Sequence, residues 1–326
     1  MIIVRTPLRV SFFGGGTDFP EFFSQHGGAV LGTAIDKYIY HSVFHIPSWL
    51  FDHKIRVAYR KVEHVRTLEE LEHRPFREIL RYCGVTQDVE VNLSSDLPSL
   101  SGLGSSSSFS VGLIKGLSAF QGRHIGQHEL ARSAIHVERT ILQEAVGLQD
   151  QVFAAYGGLN VIRFRGESDF VVERIPISQA KLSELSASLL LVYTGLTRHS
   201  QEVERRKLAR MADIRRNLSA ILSLVDRAYD VLTGNAELSA FGRLLNDTWV
   251  QKRQLDSTVS AASIDALYDA GISAGALGGK LLGAGGGGFM LFFVPPERRE
   301  NVRSALSAYN DVPIGIGAAG STIIHT

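Results

Sequence analysis

The stretch that decides the fold is Pro98-Ser99-Leu100-Ser101-Gly102-Leu103-Gly104-Ser105-Ser106-Ser107-Ser108, a run rich in glycine and serine. It lies between a strand-like alternation at 89–93 and apolar residues that recur at helical spacing from Phe109 to Phe120. Glycine lacks a Cβ, so the backbone can wrap closely around a ligand at which the first helical turn points its unpaired N–H groups. Because the helix dipole is also positive at that end, the pattern predicts a phosphate-binding loop. The structural alternative is an N-cap with a flexible lead-in, since serine is common at helix starts.

Composition and charge limit the class of protein. The 326 residues are enough for one large or two smaller domains, and 44% of them are hydrophobic, which allows a substantial core. The 34 basic and 33 acidic residues nearly cancel, which argues against a nucleic-acid partner. The single cysteine, Cys83, excludes an internal disulfide and is typical of a reducing compartment.

Membrane and export signals are missing from the sequence pattern. No apolar stretch approaches the roughly 18 residues that span a bilayer, and Arg5 and Arg9 interrupt the apolar residues near the N-terminus. We therefore expect a soluble cytoplasmic protein that binds a small molecule, with no nucleic-acid or membrane partner. The oligomeric state stays open at this point.

The order of strand and helix patterns predicts an α+β protein of two abutting domains, residues 1–188 and 189–326. Strand patterns dominate residues 1–60 and recur later, with 159–164 and 170–173 forming a hairpin. The other predicted strands are 189–194, 289–294 and 322–324. The predicted helices are 69–83, 108–121, 127–143, 201–232, 237–254, 260–270 and 297–308.

A second glycine cluster, Gly283-Ala284-Gly285-Gly286-Gly287-Gly288, satisfies the G-x-G-x-x-G pattern of dinucleotide sites. Such a site needs a helix after the loop, whereas 289–294 indicates a buried strand. The Walker A pattern G-x-x-x-x-G-K-[ST] does not occur in the sequence. A nucleotide would therefore be held by the loop at 98–108.

Three motifs together resemble the GHMP kinases, a family named for galactokinase, homoserine kinase, mevalonate kinase and phosphomevalonate kinase. The stretch 7–18 is similar to the substrate-side motif of galactokinases, 98–108 to the family's phosphate loop, and 280–288 to its C-terminal glycine motif. The resemblance implies a two-domain α+β fold with the nucleotide between the domains. It also implies a kinase that uses ATP and Mg²⁺ to phosphorylate a hydroxyl group.

Within this family the sequence is most similar to a branch of sugar 1-kinases that act on D-glycero-D-manno-heptose 7-phosphate. The stretches 13–18, 27–30 and 193–198 carry this likeness. Gly15 and Gly16 stand where galactokinases have a Glu-His pair that holds galactose, which argues against galactose. Fucose, another free sugar or a mevalonate-like alcohol remains an alternative acceptor, and a non-catalytic sugar or nucleotide sensor of the same fold is an alternative function.

The resemblance also assigns roles to residues. Asp150 corresponds to the catalytic aspartate, and Arg9 to the arginine beside it, which would favour the ionised carboxylate. Glu138 and Ser106 correspond to the Mg²⁺ ligands, since hard oxygen donors suit that ion. The structural alternatives are a helix cap for Asp150, a surface ion pair for Arg9 and a solvated helix face for Glu138. The nucleotide phosphates would be bound by Gly102, Leu103, Gly104, Ser105, Ser106 and Ser107.

The acceptor site follows from the same resemblance. Asp18 would accept from sugar hydroxyls, because a carboxylate can accept from two neighbouring hydroxyls. A phosphate on the sugar would need a cation, for which Arg198 is the candidate. The basic residues between 205 and 216, including Lys207, are expected to form a solvated helix face. The full set of expected acceptor residues is Gly15, Gly16, Thr17, Asp18, Thr197, Arg198, Gly285 and Gly286.

Overall fold

A long antiparallel pair of strands lies at the centre of the larger sheet. The computed structural model describes residues 1–99, 101–197 and 200–326, and in it these strands are β1 (Ile2–Phe13) and β2 (Gly28–His45). Both are rich in β-branched and aromatic residues, which pack well on a pleated surface. Every side chain from Thr6 to Phe13 is buried, so β1 is covered on both faces over this length.

The length of β2 allows two strands to pair with one of its edges. The remaining strands of the sheet are β3 (Ile55–Ala58), β4 (Val62–Val65), β5 (Val89–Ser95), β6 (Leu159–Phe164), β7 (Phe170–Arg174) and β12 (Thr322–His325). The order is β12-β1-β2-β5-β3-β4, with β6 against the first half of β2 and β7 against β6. The β6–β7 pair confirms the predicted hairpin.

Helices from the first part of the chain cover this sheet. They are α1 (Pro20–His26), α2 (Arg74–Cys83), α3 (Ser105–Phe120), α4 (Gln127–His136), α5 (Gln149–Tyr156) and α6 (Gln179–Ser188). Helix α3 packs against β1 and β2, and most of its side chains are buried. Its position fixes the glycine- and serine-rich loop, which ends at its first residue, above the carboxyl end of β1.

A second, smaller sheet is formed by the later part of the chain. Its strands are β8 (Leu189–Tyr193), β9 (Gly278–Leu281), β10 (Phe289–Phe293) and β11 (Asp311–Val312), in the order β11-β8-β10-β9. The helices of this part are α7 (Ser200–Ala209), α8 (Met211–Thr233), α9 (Ser239–Arg253), α10 (Ala262–Ser273) and α11 (Arg299–Ala305). Helices α9 and α10 contact the smaller sheet, whereas α8 packs against β1 and β2 of the larger one. Strands β9 and β10 pair antiparallel across the glycine cluster at 283–288, so a strand follows that cluster, as predicted.

No single boundary in the sequence separates the residues of the larger sheet from those of the smaller sheet. The expected boundary after residue 188 falls between α6 and β8, but the end of the chain returns to the larger sheet, where β12 pairs with β1. One apolar core cluster also continues from Leu8 in β1 to Leu291 in β10. None of the helices in the described ranges combines the length and the apolar character needed to cross a membrane.

Candidate active site

A cleft between the two sheets contains most of the residues singled out in the sequence. Its empty space of about 1200 Å³ is open to solvent on one side. The first part of the chain contributes β1, the loop before α3 and the start of α5. The second part contributes α7, α9 and the glycine loop 283–288. A ligand in this cleft would therefore contact both parts.

The loop before α3 presents an uncapped helix N-terminus to the cleft. Gly104 has a left-handed φ of 75° at the N-cap position, and no side chain caps the helix. Gly102, Gly104 and Ser105 to Ser107 line the cleft. Leu103 does not, because its side chain is fully buried and its carbonyl accepts from the Arg9 amide. The free N–H groups of the first turn favour an anion over the structural-cap alternative.

Two glycines hold this loop against the glycine loop of the second sheet. A Cβ on Gly102 would lie 2.7 Å from the Leu282 carbonyl oxygen, and one on Gly283 would lie 2.5 Å from the Gly102 Cα. Both residues also have positive φ, 78° and 66°. The two loops therefore approach each other at a distance that only glycine permits.

Arg9 and Asp150 form a bidentate ion pair at the base of the cleft. Nε and Nη2 of Arg9 donate to the two carboxylate oxygens of Asp150, each at 2.7 Å, and Nη1 donates to the Gly102 carbonyl at 2.7 Å. Asp150 lies in the first turn of α5, where the helix dipole favours a negative charge. The two parallel charge-assisted hydrogen bonds thus fix the orientation of the carboxylate toward the cleft.

Asp18 is the second carboxylate of the cleft. It is 1% exposed and accepts from the amides of Gly16 at 2.9 Å and Gln149 at 3.2 Å. Burial, and secondly the charge of Asp150, raise the pKa of Asp18 to about 6. Gly147 lies directly against it, since a Cβ on this glycine would come within 2.0 Å of the Asp18 carboxylate.

The structure separates the other expected acceptor residues into two groups. Gly15, Gly16 and Gly285 line the cleft. Thr17 does not, because its buried hydroxyl lies 2.8 Å from the Gly14 carbonyl and accepts from the Ala29 amide. Thr17 therefore holds the backbone of the loop rather than a ligand.

The remaining expected residues lie outside the cleft lining or outside the described residues. The Gly286 amide donates to the Val259 carbonyl at 2.9 Å, and Gly286 does not line the cleft. Thr197 is exposed and also lies outside the lining. Arg198 lies outside the described residues.

Glu138 is buried behind the loop, not on a solvated helix face. A π-helical turn, Val137–Ile141, directs it inward, and its side chain is fully buried. Its Oε2 accepts from Ser107 Oγ at 2.9 Å and Gln151 Nε2 at 2.6 Å, while its Oε1 has no hydrogen-bond partner among the described residues. Burial, followed by the charge of Glu144, raises the pKa of Glu138 to about 8.

This arrangement fits a Mg²⁺ ion held partly by substrate phosphates. An unpartnered buried carboxylate oxygen next to serine hydroxyls supplies hard donors, and Mg²⁺ takes only one or two carboxylates beside phosphates and waters. Ser107, rather than Ser106, hydrogen-bonds to Glu138, whereas Ser106 is exposed in the cleft. The described residues contain no cluster of three His, Cys, Asp or Glu side chains that could hold a metal alone.

Comparison with known proteins identifies the family. The model of the GHMP kinase N-terminal domain matches residues 66–158, and that of the GHMP kinase C-terminal domain matches 234–312. A D-glycero-alpha-D-manno-heptose 7-phosphate kinase from Campylobacter jejuni is 31% identical over 94% of this chain and 93% of its own. The chain belongs to the GHMP kinase family. It is therefore an ATP-dependent phosphotransferase with an alcohol group as acceptor.

This GHMP kinase is also similar to a fucokinase in sequence and to a heptose kinase in structure. An L-fucokinase/L-fucose-1-P guanylyltransferase from Bacteroides fragilis is 27% identical over 92% of this chain, which spans 35% of that protein. The crystal structure of a D-glycero-D-manno-heptose 1-phosphate kinase from Bacteroides thetaiotaomicron superposes with a TM-score of 0.82 at 24% identity. It covers 100% of this chain and 99% of its own. The predicted two-domain α+β fold of the family is confirmed.

Three lysines of this GHMP kinase also line the cleft, namely Lys207, Lys252 and Lys280, and the sequence predicted no role there for any of them. Lys280 Nζ donates to the carbonyls of Ser11 and Phe12, each at 2.9 Å. Burial, and then the neighbouring Arg9, lower the pKa of Lys280 to about 7. Lys207 is only 7% exposed, so the expected solvated face at 205–216 does not include it, and Lys252 is equally buried.

The helical spacing of apolar residues indicates that two of these lysines are buried. Lys252 follows buried Leu245 and Trp249 by seven and three residues, and Lys207 follows buried Val203 by four. These spacings place each ammonium on the apolar face of its helix. A lysine on such a face is a candidate for a buried functional charge.

Proposed function

We propose that this kinase transfers the γ-phosphoryl group of ATP to the anomeric (C1) hydroxyl of a sugar phosphate, with D-glycero-D-manno-heptose 7-phosphate as the acceptor. The observation that carries the proposal is the Arg9–Asp150 pair, which lies beside the N-terminus of α3 and lines the same cleft. The likeness to the Campylobacter jejuni kinase over 94% of the chain supports the choice of acceptor.

Asp150 is the proposed catalytic residue. Its carboxylate, held in place by Arg9, would orient the acceptor hydroxyl and take its proton as the phosphoryl group arrives. Arg9 would also stabilise charge on the group in transfer, since its guanidinium lies against the same cleft. The backbone of Gly102 to Ser107 would bind the phosphates of the nucleotide.

Asp18 is the proposed anchor for the sugar hydroxyls. It is held in place by two backbone amides, so its orientation does not depend on the ligand. Gly15 and Gly16 leave the space beside it open, because neither places a side chain in the cleft. A rigid acceptor anchored here would present one hydroxyl to Asp150.

Glu138, with Ser106 or Ser107, is the proposed Mg²⁺ site. When bound, the ion neutralises phosphate charge and orients the group to be transferred. The task of the chain is to keep the Oε1 oxygen of Glu138 unpartnered and to hold Oε2 with Ser107 and Gln151. Coordination would also lower the pKa of this carboxyl, because a cation favours the ionised form.

The proposal is tested by ADP release from Mg²⁺-ATP with a panel of acceptors: the heptose 7-phosphate, fucose, galactose and mevalonate. We expect turnover with the heptose phosphate, and phosphorus NMR of the product should show a new phosphate coupled to the anomeric proton. Turnover with mevalonate alone, or a product phosphorylated at another carbon, would contradict it.

A free sugar such as fucose is a second candidate acceptor. The likeness to the Bacteroides fragilis fucokinase over 92% of the chain favours it. Turnover with fucose and none with the heptose phosphate would select this alternative and leave the roles of Asp150 and Arg9 unchanged.

A further inference from the structure

The charges that line the cleft are divided between its two walls. Both aspartates, Asp18 and Asp150, belong to the first part of the chain. Two lysines, Lys207 on α7 and Lys252 on α9, belong to the opposite wall. The cleft thus offers one ligand carboxylates from the first wall and ammonium groups from the second, with Arg9 and Glu204 as the oppositely charged residue of each wall.

The two lysines of the second wall converge on one turn of backbone. Lys252 Nζ donates to the carbonyls of Leu281 at 2.7 Å and Gly283 at 2.5 Å. Lys207 Nζ lies 3.4 Å from the carbonyl of Ala284, the next residue along the chain. Both ammonium groups therefore sit beside the same glycine loop, whose residues 283–285 line the cleft.

Lys252 has a hydrogen-bonding capacity that the protein does not fill. An ammonium carries three donors, and two of them bind carbonyl oxygens. Within the described ranges no carboxylate lies within 4.0 Å of Lys252, although it is only 7% exposed. A buried charge without a counterion is costly, and burial together with Lys280 and Lys207 lowers the pKa of Lys252 well below its ordinary value.

Lys207 is fixed at the same place by a carboxylate of its own helix. Glu204 Oε1 lies 2.8 Å from Lys207 Nζ, and Glu204 also lines the cleft. The other cationic side chains of this wall are Lys252 and Lys280, and an anion beside Lys252 would favour its protonated form. A monoester phosphate could accept from both ammonium groups and supply the counterion that Lys252 lacks.

We infer that Lys207 and Lys252 bind the phosphate that the acceptor already carries, and so select sugar phosphates over free sugars. This inference rests on the proposed function, because it requires a phosphorylated acceptor. The nucleotide is the less suitable source of the anion, since the free amides of the α3 N-terminus already provide a site for its phosphates. Asp18 and the two lysines would then hold the two ends of one acceptor.

The test compares Lys207→Met and Lys252→Met with the wild-type enzyme. Methionine keeps the length of the side chain and removes the charge. Lys207→Met also leaves Glu204 without its ion-pair partner, which costs stability when the carboxylate is buried. The control is Lys115→Met on α3, a half-buried lysine outside the cleft lining. Thermal unfolding of all three variants verifies that they are folded before any kinetic comparison.

The decisive measurement is KM for heptose 7-phosphate, for the unphosphorylated heptose and for ATP. We expect each cleft variant to raise KM for the phosphorylated sugar by about 10- to 100-fold, as loss of a charged hydrogen bond does. KM for ATP and kcat/KM for the free heptose should stay within about twofold, and Lys115→Met should change nothing. Calorimetric binding of the sugar phosphate without ATP should weaken by the same factor.

Failure of the inference differs from failure of the proposed function. Three results for the cleft variants would overturn the inference: a higher KM for ATP, an equal loss of kcat/KM with both sugars, or no change in any kinetic constant. Turnover of the heptose phosphate by the wild-type enzyme would still support the proposed function. Turnover of a different sugar phosphate with the same lysine dependence would refute the acceptor and support the lysine site. A wild-type enzyme that phosphorylates only free sugars would overturn both.

Discussion

Gly147→Ala tests the acceptor site through one added carbon atom. The new Cβ would lie 2.0 Å from Oδ2 and 2.6 Å from Cγ of Asp18. The backbone of Gly147 is outside the left-handed region, so alanine is compatible with its conformation and the effect is one of packing. The Asp18 carboxylate must therefore move, or the segment before α5 must.

The size of the effect follows from the contacts that hold Asp18. An ordinary contact of about 3.2 Å requires a displacement of more than about 1 Å, which breaks its hydrogen bonds to the amides of Gly16 and Gln149. Each bond to a charged group contributes about 1.5–3 kcal/mol. A misplacement of about 1 Å also costs about 10²-fold in turnover of a positioned substrate. We expect kcat/KM for the acceptor to fall about 10²-fold or more.

The assay is steady-state kinetics in both substrates together with chemical unfolding. KM for ATP should change little, because the loop at 102–107 is not touched. Gly126→Ala is the matched control, since its added Cβ would meet no atom within 4 Å and its φ is −75°. Wild-type kinetics for the acceptor in Gly147→Ala would refute the placement of Asp18 as the sugar anchor.

Three further changes address the rest of the cleft. Asp150→Asn should keep the fold and lower kcat by about 10²- to 10⁴-fold with little change in KM for ATP, and near-normal turnover would exclude it as the base. Because the folded-state pKa of Glu138 is raised from 4.5 to about 8, the stability contributed by its protonated form is present below pH 4.5. As the pH rises from 4.5 to about 8, the free energy of unfolding falls by about 1.4 kcal/mol per pH unit. Glu138→Gln should remove this pH dependence of the free energy of unfolding, measured with urea in the presence of EDTA. The exposed control Glu129→Gln should keep it. The same pH dependence in Glu138→Gln and the wild type would contradict the raised pKa of Glu138. Gly102→Ala, whose Cβ would lie 2.7 Å from the Leu282 carbonyl oxygen, should destabilise the protein and raise KM for ATP several-fold, as measured by melting temperature and kinetics.

Local patterns predicted the elements that carry a strong periodic or turn signal. The helix after the serine run, the hairpin at 159–173 and the strand after 283–288 all follow from alternation, helical spacing or glycine position. Helices α1, α5 and α6 were not predicted, and α1 and α5 have only seven and eight residues, which leaves little periodic signal. The start of α5 matters most, because it places Asp150 at a helix N-terminus.

Long-range packing determined what the sequence did not predict. Glu138 lies between His136 and Arg139, which suggested a solvated face, yet it follows buried Ala131 and Ala134 at helical spacing. That spacing was the available signal. The pairing of Thr17 with the backbone of Ala29 and the contact between Gly102 and Gly283 join residues far apart in sequence, and no local window contains them.

The pairing of β12 with β1 has a consequence for synthesis. Ile3 is aligned with His325, which is 322 positions later in the sequence (325 minus 3). At about 5–20 residues per second, the two are separated by tens of seconds on the ribosome. One edge of β1 stays unpaired during that time, and an open strand edge is a template for pairing with other chains. The pairing of this edge with β12 is therefore a late step in the completion of the larger sheet.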